Sequence, residues 1–396
     1  MQLVEQHIIK YGNAMYAELD KMTFLSKNLY NQALYRIRQF YFDNKKYLGY
    51  SKLAHELASS KQVDYVALPA KVSQWVLKQV DKNFMSFFES LKSSKVNHKV
   101  SIPKYLDKNG RNILTFTNQA ISTKELKLGF LKLSGCKNKL KVLHRDIQQV
   151  RIVPKGNHFV VEIIYSQETP NFVDNSNYVG IDLGLNNLAT VGGNNIKPFI
   201  INGRPLKSIN QFYNKKLAKL KSRQDICKNK NVNKCRIQTL TNKRNNKVKD
   251  YLHKSSRILV NRLVSNNVSV IVIGHNKEWK QDINIGKTNN QKFVQIPFNT
   301  FIKMIEYKAK LEGINVIVRE ESYTSKCSFI DNEEICKHEI YKGKRIKRGL
   351  YKSEKGILVN ADLNGALNIL RKEVPNSFSK GNEIEVCSTP TVLTVK

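Results

Sequence analysis

The chain has 396 residues, of which 41% are hydrophobic, so it can form two or three packed domains and is not expected to be disordered. Its 67 Lys and Arg residues outnumber 32 Asp and Glu residues, which gives a formal charge of +35 and a pI near 9.9. Such an imbalance is typical of proteins that bind a polyanion. Because the sequence shows no long apolar span and no signal peptide, we expect nucleic acid and no membrane as the partner.

The first 168 residues mix helical and strand patterns and predict one N-terminal domain. Within about 23–92 two stretches place apolar residues on one helical face, namely Leu29, Ala33, Ile37 and Phe40 in the first and Val72, Val76, Val80, Phe84, Phe87 and Leu91 in the second. From about 100 to 168 the apolar period changes to two, with turn signals between the runs. We interpret 1–168 as a β-barrel-like antiparallel domain or sheet with these helices inserted.

A polar, proline-containing stretch at 169–177 predicts a linker, and an α/β domain with a mixed sheet follows at 178–372. The predicted strands are 178–183, 187–191, 198–201, 268–274 and 314–320, and the predicted helices are 208–224, about 248–263, 297–313 and 361–372. Residues 373–396 show no strong period and predict a loose tail. The predicted fold class is therefore a multidomain α+β protein.

Three places in the second domain carry an acid where an apolar residue would cost less. Asp182 interrupts an apolar strand, Glu320 and Glu321 end another strand, and Asp362 begins the last helix. Taken singly, Asp362 is typical of a helix cap and the two glutamates of solvated acids. A buried carboxylate such as Asp182, however, needs a partner, and two strand positions with a helix start are how an RNase H-like fold assembles an acidic cluster.

Such a cluster predicts a metal site. Three neighbouring carboxylates cannot all ionise without a compensating cation. Oxygen-only ligands favour Mg²⁺, with Mn²⁺ as a substitute. Two ions about 4 Å apart would activate a water molecule and stabilise the leaving oxygen in phosphodiester hydrolysis. The predicted ligands are Asp182, Asp362 and one of the two glutamates.

Several long motifs resemble the TnpB family of RNA-guided endonucleases, which insertion sequences carry and which are related to compact type V CRISPR effectors and to Fanzors. The motifs are "VGIDLGLNNLAT", "YLHKSSRILV", the stretch from "FVQIPFNTF" to "EESYTSKCSF", and "GKRIKRGLYKSEKGILVNADLNGALNILRK". The resemblance implies a wedge domain with a helical recognition insertion, then a RuvC-type nuclease domain interrupted at about 324–358 by a target-nucleic-acid-binding loop. It also implies a guide RNA, a double-stranded DNA target and a displaced single strand as partners.

One departure from the family concerns the second catalytic acid, which in most members follows the apolar run that is "VSVIVIG" here. This chain has Gly274 at that place. Either the nuclease is inactive, or the acid comes from the next strand, as in some TnpB branches and in Fanzors. Only one of Glu320 and Glu321 should face Asp182, because successive strand residues point to opposite faces. We favour Glu321, which lies three residues before Thr324, with Glu320 as the alternative and Glu278 as a poorer candidate.

The cysteines indicate a compartment and argue against a structural metal. The six cysteines lack the spacing of a disulfide framework and accompany no secretion signal, so we expect a reducing cytoplasm. TnpB relatives often carry two Cys-x-x-Cys pairs in the loop after Thr-Ser-Lys, whereas only Cys327, Cys336 and His338 fall there. No fourth ligand is identifiable, and we expect no structural zinc.

Two basic stretches are candidates for contact with nucleic acid. The residues are Lys243, Arg244 and Lys247 on a predicted helix, and Lys344, Arg345, Lys347 and Arg348 in "KGKRIKRGLYK". A single lysine is usually a solvated charge, but a cluster between two catalytic motifs favours phosphate contact. Such contacts supply affinity and do not read sequence, which base pairing with a guide would do beside a short flanking motif.

The leading hypothesis is therefore a magnesium-dependent, RNA-guided DNA endonuclease. A nuclease-inactive, RNA-guided DNA-binding repressor is the first alternative, since Gly274 replaces an acid. An unguided RuvC-like nuclease or transposase is the second, although a bare nuclease would not need the long basic N-terminal half.

Overall fold

The computed structural model describes residues 1–92, 100–229, 231–276, 286–378 and 387–395. The chain divides into two compact units, Met1–Glu168 and Thr169–Lys396. The sequence predicts its first domain at 1–168. Mixed α/β content is confirmed, because both units combine helices with sheets. Each unit has a hydrophobic core of its own.

Unit 1 is built on a four-stranded antiparallel sheet with the strand order β1-β6-β5-β2. The strands are β1 (Gln2–Lys10), β2 (Leu114–Thr117), β5 (Ile147–Pro154) and β6 (His158–Ser166), and a separate ribbon pairs β3 (Phe130–Leu131) with β4 (Leu140–Lys141). The two edge strands, β1 and β2, do not pair with each other. The strands of this sheet in the described part of unit 1 therefore form an open sheet and not a closed barrel.

Helices fill the chain between β1 and β2 of unit 1. They are α1 (Tyr16–Asn44), α2 (Tyr50–Ser59), α3 (Val63–Ala67) and α4 (Ala70–Lys92), with a short α5 (Thr123–Lys127) after β2. Most residues of the predicted apolar faces are buried in the core, Phe40 and Phe87 are partly buried against it, and Leu91 near the end of α4 is exposed. The inserted helices thus begin at Tyr16, earlier than the predicted residue 23.

Unit 2 contains a six-stranded mixed sheet with the order β11-β10-β7-β8-β9-β15. The strands are β7 (Tyr178–Leu183), β8 (Asn187–Gly193), β9 (Phe199–Asn202), β10 (Val270–Gly274), β11 (Asn315–Arg319) and β15 (Thr391–Leu393). β10 runs parallel to both β7 and β11. The carboxyl ends of these three strands therefore lie along one edge of the sheet.

Helices cover both faces of this sheet. They are α6 (Arg204–Ile226), α7 (Lys234–Ser265), α8 (Lys287–Val294), α9 (Phe298–Leu311) and α10 (Ala361–Glu373). Val179 and Ile181 of β7 pack in the core that includes the buried faces of α7 and α9. Val270 and Val272 of β10 pack instead against α10, which contacts β7, β8 and β10.

The segment between β11 and α10 contains a small antiparallel sheet. Its strands are β12 (Lys344–Lys347), β13 (Leu350–Lys352) and β14 (Leu358–Asn360). Tyr351 is buried there and its hydroxyl donates to the carbonyl of Lys326 at 2.8 Å. The chain that the sequence predicts as an inserted loop at about 324–358 is therefore folded and returns directly into α10.

The prediction of a loose tail at 373–396 is wrong for its described residues. Phe378 packs edge-on against Phe329 with ring centroids 4.8 Å apart. Strand β15 adds to the sheet beside β9 in parallel, and Val395 is buried in the core of unit 2. A three-residue strand is too short to show a period, and its partner lies far upstream, so the sequence pattern gave no signal.

Candidate active site

Asp182 is presented on the face of the sheet that α10 covers. Side chains alternate along a strand, so Gly180 and Asp182 lie on the face opposite to the core-packed Ile181. A Cβ atom added to Gly180 would collide with the main-chain carbonyl of Ala366, and one added to Gly192 would lie 2.6 Å from Leu363 Cδ1. These two glycines let α10 approach the sheet closely, which places the start of α10 beside Asp182.

Asp362 lies in the first turn of α10, and its orientation is fixed by asparagines. The Asn360 side chain caps the helix by accepting from the backbone N–H of Asp362 at 3.0 Å and of Leu363 at 3.1 Å. The Asn187 amide, at the start of β8, donates to Asp362 Oδ2 at 2.7 Å. One turn further along α10, a Cβ on Gly365 would lie 3.1 Å from Asp182 Oδ2. The helix start and the strand end therefore meet at the two aspartates.

Glu321 occupies the space at the end of β10 that a side chain on residue 274 would fill. A Cβ built on Gly274 would lie 2.9 Å from Glu321 Oε2 and would collide with Ile369. Glu321 also contributes to the electrostatic environment of Asp182. The structure thus brings the predicted residues Asp182, Glu321 and Asp362 to one edge of the sheet.

Glu320 points elsewhere. It is exposed, and its Oε2 forms an ion pair with Lys372 Nζ at 3.0 Å. β11 ends at Arg319, so the two glutamates lie just beyond the strand, and of the two it is Glu321 whose charge acts on Asp182. Glu278, the poorer candidate from the sequence, lies outside the described residues.

Burial, together with neighbouring acids, raises the pKa values of Asp182 and Glu321. Burial of the Asp182 carboxylate raises its pKa well above 3.8, and the charges of Asp362 and Glu321 raise it further. Burial, followed by the charge of Glu320, raises the pKa of Glu321 from 4.5 to about 7. The cluster is therefore short of positive charge.

Arg345 supplies part of the missing positive charge. Its guanidinium lies 3.3 Å from Asp362 Oδ1 and lowers the pKa of Asp182 against the effect of the neighbouring acids. Strand β12 carries this arginine, so the inserted segment contributes directly to the acidic site. The predicted phosphate contact of Arg345 stays a prediction, and the contact observed for its guanidinium is the ion pair with Asp362.

The donor set fits a divalent cation chemically. The side chains are carboxylates with amide neighbours, and oxygen ligands are what Mg²⁺ and Mn²⁺ prefer. Among the described residues, no three Asp, Glu, His or Cys side chains yet converge tightly enough to enclose an ion.

Arg244 is hydrogen-bonded within the protein, which favours a structural role over the predicted contact with nucleic acid. Its Nε donates to Asn210 Oδ1 and its Nη2 to the carbonyl of Gln295, both at 2.8 Å, and Nη1 donates to Asn245 at 3.0 Å. Its neighbours Lys243 and Lys247 on α7 are exposed. The difference lies in the acceptors, since Asn210 of α6 and the Gln295 carbonyl lie within reach of the Arg244 guanidinium.

The four basic residues predicted in the inserted segment lie on its outer surface. Lys344, Arg345, Lys347 and Arg348 are all exposed, in or directly after β12.

The cysteines of the same segment lie close to one another. Cys336 Sγ lies 3.3 Å from His338 Nε2, and Cys327 Sγ lies 3.6 Å from the carbonyl of Cys336. The loop around Cys327 is held by hydrogen bonds from Asn364 and Asn368 of α10 to its main-chain carbonyls.

Two asparagines next to the acids were missed by the sequence analysis. Asn187 bonds Asp362, and Asn276 bonds Glu321. Both follow or begin apolar strands in short Asn-containing turns, "GLNN" and "GHN". Their position at strand ends near the predicted metal ligands is the signal that could have identified the two asparagines. Carboxylates that bind a metal are usually hydrogen-bonded by such neighbours.

Comparisons with known proteins place these observations in a family context. A family model described as "Probable transposase" (OrfB_IS605) matches residues 158–280, and one described as "Cas12f1-like, TNB domain" matches residues 298–369. The TnpB-like protein ORF457 of Acidianus two-tailed virus is 29% identical over 200 residues, covering 49% of this chain and 41% of that protein. The CRISPR-associated endodeoxyribonuclease Cas12f2 of a Micrarchaeota archaeon (strain CG1_02_47_40) is 27% identical over 237 residues, covering 55% and 41%.

These matches show that the chain is similar to TnpB and Cas12f proteins, and the resemblance carried by its sequence motifs is confirmed. The chain spans about two fifths of the length of either relative. A solved Cas12f1–sgRNA–target DNA complex matches over 94% of this chain at 18% identity and a TM-score of 0.39, and a CRISPR-Cas12f ternary complex over 89% at 16% and 0.40. TM-scores this low do not define the fold. No helix in the described parts of the chain has the length and apolarity that crossing a membrane requires.

Proposed function

We propose that the protein is an RNA-guided DNA endonuclease that hydrolyses phosphodiester bonds in target DNA next to a short flanking motif. The observation that carries the proposal is the meeting of Asp182, Glu321 and Asp362 at one edge of the unit 2 sheet, with pKa values of two of them raised. A purely structural site would neutralise or exclude such acids, because uncompensated buried carboxylates are costly. The similarity to TnpB and Cas12f proteins supports the guided reaction and a transposon context.

The three acidic side chains share one task in this proposal, which is to bind the metal. Asp182, Glu321 and Asp362 would hold Mg²⁺, two ions in the two-metal arrangement. When bound, the metal polarises the attacking water and stabilises the leaving oxygen of the phosphodiester. Asn187 keeps one oxygen of Asp362 in place, which leaves Oδ1 for the cation. The pKa of about 7 at Glu321 means that this carboxylate gives up its proton when the cation binds near neutral pH.

Arg345 would move from Asp362 to the substrate. In the DNA-free protein its guanidinium bonds the carboxylate that the metal needs. With Asp362 holding the cation, the Arg345 guanidinium would be free to donate to a phosphate oxygen, an anion that guanidinium groups bind well. The exposed Lys344, Lys347 and Arg348 around it would hold the backbone on either side.

The remaining positive charge fits the nucleic-acid partners. A formal charge of +35 predicts strong, salt-dependent binding of a guide RNA and of double-stranded target DNA with its displaced strand. In such a complex base pairing with the guide selects the sequence, and the protein reads the flanking motif and the shape of the heteroduplex.

The test uses protein co-expressed with its native downstream DNA, so that its RNA co-purifies. The complex is incubated with Mg²⁺ and a plasmid library in which a guide-matched target stands beside randomised bases. We expect cutting of the plasmids that share one flanking motif, and no cutting by Asp182→Asn or Asp362→Asn, while both variants still bind the RNA. Binding of the motif without cutting by the wild type would support a guided repressor, and cutting without RNA an unguided nuclease.

A further inference from the structure

We propose that Asn276 and Gly274, at the carboxyl end of β10, are positioning residues that form a cradle for Glu321. In most TnpB relatives the strand that corresponds to β10 is followed by the second acid. Here the end of β10 instead carries Gly274 and Asn276, which hold Glu321 from the end of the neighbouring strand. The inference rests on the proposed metal site at Asp182, Glu321 and Asp362.

Asn276 holds Glu321 at two points. Its Oδ1 accepts the backbone N–H of Glu321 at 3.0 Å, and its Nδ2 donates to Glu321 Oε1 at 3.4 Å, a long but allowed hydrogen bond. A side-chain amide is an uncharged group with both a donor and an acceptor at its end. It can therefore fix the main chain and the carboxylate of Glu321 together without adding charge to the acidic cluster.

Gly274 provides the space for the other carboxylate oxygen. Any side chain at this position would begin 2.9 Å from Glu321 Oε2 and would also collide with Ile369 of α10. The backbone of Gly274 is an ordinary part of β10, paired with Arg319 of β11, so a special backbone conformation does not explain the glycine. A Cβ at this position would therefore displace the Glu321 carboxylate or the Ile369 side chain from the positions they hold.

The far side of Glu321 is also fixed. Thr324 Oγ1 donates to the main-chain carbonyl of Glu321 at 2.8 Å, and the Thr324 N–H reaches the same oxygen at 3.2 Å. The main chain of Glu321 is therefore bonded through its N–H by Asn276 and through its carbonyl by Thr324. Partners of this kind around a metal ligand typically change metal affinity by about 10- to 100-fold when removed.

The test measures Mn²⁺ binding to the full-length protein by electron paramagnetic resonance of free Mn²⁺, independently of cutting. We expect Asn276→Leu, which keeps the size of the side chain and removes both polar atoms, to weaken Mn²⁺ binding at least about tenfold. The matched control is Asn299→Leu. Asn299 bonds His275 Nε2 at 2.6 Å near the same strand end and has no bond to these acids, so its loss should leave Mn²⁺ affinity unchanged.

A second comparison tests Gly274. The pair is Gly274→Ala with Ile369→Ala against Ile369→Ala alone, because this alanine removes both Ile369 Cδ1 and Cγ1 and leaves the carboxylate as the main obstacle. We expect the double variant to bind Mn²⁺ more weakly than the single one. Equal affinities would overturn the role of Gly274 in the cradle.

The outcomes separate this inference from the proposed function. If Glu321→Gln binds Mn²⁺ as tightly as the wild type, the metal site itself is wrong. If Glu321→Gln binds weakly and Asn276→Leu binds like the wild type, the site stands and the cradle is overturned. A lower melting temperature of Asn276→Leu with unchanged Mn²⁺ affinity, measured well below that temperature, also overturns it, since it would show a structural role only.

Discussion

Replacing Glu321 with glutamine should make the metal-free protein more stable at alkaline pH. The wild-type carboxyl group has a pKa raised by burial from 4.5 to about 7, so folding favours its protonated form. Between these two values the folded protein holds a proton that the unfolded chain has released. The free energy of unfolding of the wild type therefore falls as pH rises from about 4.5 to 7, and the loss is complete above pH 7.

The size of the effect follows from the two pKa values. Each pH unit between them corresponds to 1.36 kcal/mol, which gives an upper limit of about 3 kcal/mol for the interval from 4.5 to about 7. Glutamine resembles the protonated glutamate and does not titrate. Glu321→Gln should therefore match the wild type near pH 4.5 and exceed its unfolding free energy by up to about 3 kcal/mol at pH 8.

The assay is urea denaturation in EDTA at pH 5 and pH 8, with Glu320→Gln as the matched control. Glu320 is exposed and paired with Lys372 at 3.0 Å, so its replacement should cost no more than about 1 kcal/mol. Because burial is the larger cause of the raised Glu321 pKa and the charge of Glu320 the smaller, Glu320→Gln should remove only a minor part of the pH dependence. Added Mn²⁺ should then stabilise the wild type more than Glu321→Gln, because only the wild type retains the full set of ligands.

The reasoning would be refuted by a stability difference between Glu321→Gln and the wild type that is the same at both pH values. Such a result would mean that the Glu321 carboxylate is as well solvated in the folded protein as in the unfolded chain. Equal pH dependence in Glu320→Gln would instead show that the wrong glutamate had been assigned to the cluster.

Three further perturbations test other parts of the structure. Arg345→Ala should tighten Mn²⁺ binding to the DNA-free protein by up to about fivefold, because the competing ion pair with Asp362 is lost; calorimetric titration would measure it, and weaker binding would contradict the competition. Lys247→Ala should lower the salt dependence of nucleic-acid affinity by about one phosphate contact, whereas Arg244→Ala should lower stability and leave the salt slope unchanged. Gly180→Ala should lower the free energy of unfolding by about 1–3 kcal/mol or more, because its Cβ collides with α10; an unchanged urea midpoint would exclude that close approach.

The acidic residues were accessible to sequence reasoning because each interrupts a regular pattern. Asp182 stands in an apolar strand and Asp362 at the start of an apolar helix, and the glutamate pair follows directly after the apolar strand β11. The strands and helices that carry the acids are equally clear, since the buried runs are long and bounded by turn residues. Local periodicity was sufficient for these features.

Features that depend on contacts between distant segments could not be predicted in this way. The bonds from Asn276 to Glu321 join two strand ends, and the bonds of Arg244 join α7 to α6 and to Gln295. The sequence gives the charge of an arginine, but it does not give the acceptors that neighbouring helices bring to it. The position of Arg345 beside Asp362 depends in the same way on how β12 folds back toward α10.

The pairing of β15 with β9 also has a consequence for the solubility of shortened chains. Phe199, Ile200 and Ile201 of β9 are buried, and β15 covers the edge of that strand. A product that ends before residue 391 would keep every residue of the acidic cluster but would expose an apolar strand edge, which is a template for aggregation. Proteolytic clipping or premature termination near this end should therefore remove the protein from solution before it alters the chemistry of the site.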